Sequence, residues 1–181
     1  MIDNKKYERI IILGSGGSGK STLAKKIAKC TGIQIYHLDK EYWLPNWQKP
    51  KEEDWHHKIV EFVKEDSWIM DGNYIDTLED RLEKADLVIM LDIKTSTCLR
   101  GVFLRTLKSK FIKRKDLCSD CDERFNQNYY DFINWVKAFR KEYFPKLINI
   151  CLKYPNVDLK IFSTRKSAHK FVKRMTSKND C

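Results

Sequence analysis

The chain is poor in glycine (7) and proline (4) among its 181 residues, while 42% are apolar and 12% aromatic. That balance excludes a disordered or low-complexity protein and predicts one folded domain over residues 1–181. No stretch approaches the roughly 18 apolar residues that a membrane-spanning helix needs, and the opening MIDNKKYERI has no apolar signal core. These absences predict a cytoplasmic protein with no membrane partner. Six cysteines (Cys30, Cys98, Cys118, Cys121, Cys151, Cys181) are present, but their spacing is scattered and no export signal accompanies them. They read as reduced thiols. Cys118 and Cys121 form one CxxC pair, and no second pair completes a four-thiolate zinc site.

Acidic residues are missing altogether from 94–115, where eight Lys and Arg stand, and residues 160–181 hold seven basic side chains against one acidic. These segments carry +8 and +6 of the formal +10, which leaves −4 on the rest of the chain. The basicity is local, and a polyanion is its natural partner.

Apolar periodicity predicts strands at 9–13, 33–38, 68–71, 87–92 and 159–162. Helices are expected over 21–29, from Pro50 with its acidic first turn, along the aromatic stretch Phe125–Phe139, and over 166–178. Alternating strands and helices imply a three-layer α/β/α fold around a five-stranded parallel sheet.

Between the first strand and its helix stands Gly14-Ser15-Gly16-Gly17-Ser18-Gly19-Lys20-Ser21, a full match to the phosphate-loop pattern. Glycines let successive backbone N–H groups turn inward around an anion, and the helix after them adds its positive dipole end. Residues Gly14 to Thr22 are therefore the candidate nucleotide-binding segment. Lys20 would reach the β/γ-phosphates, and the Ser21 hydroxyl would hold Mg²⁺. Gly14, Gly16 and Gly19 also fit a dinucleotide G-x-G-x-x-G, a reading that leaves Lys20 and Ser21 without a task.

Ligands of open parallel sheets bind beyond the carboxyl ends of the strands, and Asp39, Asp71 and Asp92 fall at such ends. Asp71 is the preferred Mg²⁺ carboxylate, with Asp92 as competitor. Asp39 is a candidate to orient an acceptor or take its proton.

The phosphate loop, HLDKEYWLPNW at 37–47, WIMDGNY at 68–74, Arg81 with Ala85-Asp86, and LVIMLDI at 87–93 together resemble the bacterial topology modulation proteins. Those are similar to adenylate kinases and other small nucleoside or nucleotide kinases. The resemblance implies a P-loop NTPase with an acceptor-side insert at about 39–67 and a short helical lid at about 94–125. It implies lid arginines at Arg100 and Arg105, with Arg114 and Arg124 next. Asp71-Gly72 looks like the start of the kinase motif Asp-Gly-x-Pro-Arg, but Tyr74 and Ile75 replace its Pro and Arg. No acceptor-phosphate arginine stands between Asp39 and Trp47 either, so Tyr42, Trp43 and Trp47 are the expected acceptor contacts. The expected activity is Mg²⁺-dependent transfer of the γ-phosphoryl group of ATP to a small acceptor, with Lys20, Asp39, Arg100 and Arg105 catalytic. Two alternatives stay open: a DNA-binding or DNA-topology regulator working through the basic segments, and a nucleotide-binding switch with weak ATPase activity. The turn Ser163-Thr164-Arg165 is a candidate base contact.

Overall fold

The computed structural model describes residues 7–109 and 127–176. Cys118, Cys121, Cys181, Arg114, Arg124 and Phe125 lie outside them, as does the second half of the expected lid.

Five strands, β1 (Arg9–Gly14), β2 (Ile35–His37), β3 (Trp68–Asp71), β4 (Leu87–Leu91) and β5 (Asp158–Phe162), form one sheet in the order β2-β3-β1-β4-β5. Every pairing is parallel. Among the described residues seven α-helices accompany them: α1 (Lys20–Thr31), α2 (Leu38–Tyr42), α3 (Glu52–Val63), α4 (Leu78–Leu82), α5 (Thr95–Ser109), α6 (Gln127–Cys151) and α7 (Arg165–Thr176). The three-layer α/β/α architecture is as expected.

Side chains alternate across a strand, so β1 feeds two cores at once. Ile10 and Ile12 pack with Leu23 and Ile27 of α1, Val102 of α5 and Val172 of α7. Ile11 and Leu13 face the other way, toward Trp55 and Ile59 of α3, Leu78 and Leu82 of α4, and Phe139 and Leu147 of α6. Helix α1 stops where its periodicity does, at Gly32, whose φ of 75° is easily reached without a Cβ.

One long helix differs from expectation, α6, which continues past Phe139 through Pro145 to Cys151; the other differences lie in short elements. β2 closes at His37, and Asp39 sits in the first turn of α2 rather than ending a strand. α4 has no counterpart in the sequence reading. Cys98 and Cys151 are free and buried, and burial pushes both thiols up, Cys151 to about 11, so neither is a reactive thiolate at neutral pH. The expectation of six reduced thiols is corrected at Cys30, which is disulfide-bonded.

Candidate functional site

β1 is central; the chain leaves it toward β2 at one edge and leaves its neighbour β3 toward β4 on the other side, and this reversal places a crevice at the carboxyl ends of β1 and β3. The glycine loop springs from that point. Gly17 and Gly19 have φ values of 72° and 104°, in the left-handed region that favours glycine. Gly17 needs its missing side chain for a second reason: an added Cβ would stand 2.3 Å from the Cys98 carbonyl oxygen of α5.

Lys20, the first residue of α1, turns back over this loop and donates from Nζ to Gly14 O at 2.9 Å and Ser15 O at 3.1 Å. Its ammonium thus sits against the loop carbonyls. The Ser18 hydroxyl is fully buried and its Oγ has no hydrogen-bond partner among the described residues. An orphaned buried hydroxyl in an N–H-rich loop with an ammonium at hand fits a phosphate oxygen, so the residues present suit the phosphate end of ATP. Ser21, the expected Mg²⁺ hydroxyl, is half-buried in the first turn of α1, and Thr22 beside it is exposed.

Asp71 pairs in register with Ile12, two residues before the loop, and is buried. Its Oδ2 lies 2.9 Å from His37 Nδ1 at the end of β2. Asp92 is otherwise engaged. Arg140 of α6 donates to both its oxygens, Nε to Oδ1 at 2.8 Å and Nη2 to Oδ2 at 2.9 Å, and the bidentate fork raises the Arg140 pKa. Both carboxylates flank the loop strand, Asp92 following Leu91, the register partner of Gly14, and Asp71 differs in having His37 rather than an arginine fork against it.

The lid arginines separate. Cys98, Gly101 and Val102 turn one face of α5 onto Gly17, and Arg105 shares that face, with its guanidinium 5.8 Å from the Phe132 ring of α6. Arg100 is exposed on the opposite side of the helix, about half a turn away. The structure brings Arg105, and not Arg100, to the loop side.

On the acceptor side, Asp39 is exposed and accepts a 2.9 Å hydrogen bond from the Tyr74 hydroxyl. Burial and the Asp39 carboxylate push the Tyr74 phenol up, which keeps it a proton donor. Tyr42 packs at 5.1 Å from Trp55 and 4.7 Å from Tyr74, so its ring is used in the protein's own packing. Trp43 and Trp47 meet edge to face at 5.4 Å on the half-buried rim.

Two residues missed in the sequence as site builders, Asn73 and Arg81, and one expected in another role, Arg165, bear on the loop and the turn beside it. Asn73 embraces one loop residue, accepting from Gly14 N–H at 3.0 Å and donating to Gly14 O at 3.0 Å. Arg165, expected near a base, donates to Gly17 O at 2.6 Å and Ser18 O at 3.1 Å from the start of α7. Arg81, on α4, is fully buried and bonds only to carbonyls, described below.

A parallel sheet of this order with a glycine-lysine loop on its central strand defines a P-loop NTPase. Residues 1–108 match the family model described as the NB-ARC domain, and the chain belongs to that family. No curated protein matches the chain. Among solved structures, it is similar to shikimate kinase from Acinetobacter baumannii in complex with shikimate, at 15% identity and a TM-score of 0.56, covering 96% of each chain. A gluconokinase from Sinorhizobium meliloti 1021 matches at 12% identity and TM-score 0.54, covering 96% of this chain and 92% of that one. Shikimate kinase from Bacteroides thetaiotaomicron matches at 16% identity and TM-score 0.51, covering 97% and 99%. At these identities the likeness is one of fold.

Proposed function

We propose that the chain is a Mg²⁺-dependent phosphotransferase that passes the γ-phosphoryl group of ATP to a small hydroxyl-bearing acceptor. The observation that carries the reading is the complete phosphate loop, with the Lys20 ammonium and the orphaned Ser18 hydroxyl at the carboxyl end of the central strand. The solved neighbours are named as kinases of shikimate and gluconate, which supports a small molecule as acceptor.

Phosphoryl transfer asks mainly for positioning and charge neutralisation. Lys20 would exchange its two carbonyl partners for β/γ-phosphate oxygens. Mg²⁺, held by Ser21 and supported by Asp71, would neutralise charge on the phosphates. Arg105, on the loop-facing side of α5, would meet the transferring group, whereas Arg100 stands on the far side of that helix. Asp39, held by Tyr74, would orient the acceptor hydroxyl, with Trp43 and Trp47 as its apolar wall. Segments 39–67 and 94–125 are then the acceptor insert and the lid of one 1–181 domain.

The test is ADP formation from Mg·ATP with a panel of nucleosides, sugar acids and small alcohols. Wild-type turnover should depend on one acceptor class, and Lys20→Ala should lower it by about 10²-fold or more. ATP loss indifferent to every acceptor would identify a hydrolase or switch instead.

A DNA-directed function, in keeping with the resemblance to topology modulation proteins, has one observation in its favour. Lys166, Lys170, Lys173 and Arg174 are all exposed on α7.

A further inference from the structure

Arg81 is 0% exposed, and its bonds run to backbone oxygens alone: Nε to Thr77 O at 3.1 Å, Nη1 to Gly72 O at 3.1 Å, and Nη2 to Asn73 O and Tyr74 O at 2.7 Å each. A buried guanidinium is costly, and burial pulls its pKa down to about 10, yet it stays charged at neutral pH. What this arrangement secures is the segment leaving β3, where three successive carbonyls are held by one planar fork. Tyr74 is fixed there with φ 27°, a conformation that a tyrosine rarely adopts.

The clamped segment touches the donor and acceptor sides together. Through the Asn73 amide it holds both polar groups of Gly14. Through the Tyr74 hydroxyl it holds Asp39, and Gly72 is pressed so close to Leu38 of α2 that an added Cβ would stand 2.8 Å from the Leu38 Cβ. Lys20 and Asn73 share one acceptor, Gly14 O, at 2.9 and 3.0 Å. When the Lys20 ammonium transfers to a phosphate, Asn73 is left as the side chain holding that carbonyl. The two states of the loop therefore load Asn73 differently, and a differential interaction of this kind is what coupling between sites requires.

We propose that Asn73 and Tyr74 are positioning residues of a strut, clamped by Arg81, through which nucleotide binding at the phosphate loop orders Asp39 and the acceptor-side helix α2. The proposal rests on the nucleotide-binding reading above. By reciprocity, acceptor binding strengthens nucleotide binding by the same factor.

The experiment titrates Mg·ADP into the full chain by calorimetry and follows amide hydrogen exchange of residues 38–42 at saturating Mg·ADP. It compares wild type, Lys20→Ala, Asn73→Ala and Tyr74→Phe. In the wild type, Mg·ADP should slow exchange across 38–42. Asn73→Ala should weaken Mg·ADP by about tenfold, the effect of losing hydrogen bonds to a single peptide, and should lose the slowing. Tyr74→Phe removes one hydroxyl without disturbing the fold and should lose the slowing at saturation. A merely structural role would lower the unfolding temperature and speed exchange throughout the chain, without abolishing a nucleotide response confined to 38–42. Slowing retained in Tyr74→Phe, no response at 38–42 in a wild type that binds Mg·ADP, or unchanged affinity in Asn73→Ala overturns the coupling and leaves the phosphotransferase reading standing. A wild type that binds no Mg·ADP, matching Lys20→Ala, overturns both.

Discussion

A guanidinium without a carboxylate is a rare occupant of a protein interior, and Arg81 shows what can hold one: a concentrated set of carbonyl dipoles. Replacing it by an apolar side chain of similar length relieves the desolvation cost but takes the donors away from Gly72 O and Asn73 O, while Tyr74 O keeps the Thr77 N–H at 3.3 Å. The second effect is larger here, because Gly72 and Asn73 lie in a turn rather than in a regular ladder. Arg81→Met should therefore lower the free energy of unfolding by about 2–4 kcal/mol, as read from denaturant titration. An unchanged midpoint would mean that water or a relaxed turn takes over the carbonyls. At this scale the sequence was legible where chemistry has a pattern, as at Lys20 and Ser21. It was not legible at Arg81, Asn73 or Arg165, because their partners are backbone groups, which every residue carries and no composition marks. Asp92 is a related case. Its place at a strand end was readable, but the Arg140 fork that occupies it comes from a helix 48 positions away.

Long elements were readable because many residues vote for one period, as in β1, α1, α3 and α7. The five-residue α2 and α4 offer too few turns to show a stripe, and short helices owe their stability to tertiary packing rather than to propensity. That is why Asp39 was expected on a strand end and stands instead on a helix. Packing of α1 against α7 gives an element-scale prediction. His169 on α7 is held below its usual pKa first by burial, then by the positive charges of Lys26 on α1 and Arg165. The unfolded chain, with its histidine near 6.5, then binds the proton before the folded one does. This group's contribution is intact above about pH 6.5 and is lost as pH falls from there through the lower folded value. The unfolding free energy of His169→Gln should exceed that of wild type at low pH by more than it does at neutral pH. Parallel pH curves for the two proteins would contradict this.

For the whole molecule, the parallel sheet and its layers followed from the alternation of elements, whereas the order of the strands and the destination of the positive charge did not. Part of the charge lies along α5 and part along α7, and its division between two helices permits a test of the two functions. Replacing Lys166, Lys170 and Lys173 by Glu should leave acceptor-dependent ADP formation intact. Any duplex DNA binding that it abolishes should be one whose log K falls with log salt at about −0.9 per phosphate contacted. Loss of ADP formation in that variant, with a stable fold, would join α7 to the catalytic site. Arg165 adds a consequence in time. It reaches the Ser18 carbonyl across 147 positions of chain, so the phosphate loop lacks one of its braces until residue 165 has left the ribosome. A nascent chain halted before β5 should then bind nucleotide poorly even with Gly14–Thr22 fully emerged, which places completion of the loop after its own synthesis by the time taken to translate four further strands.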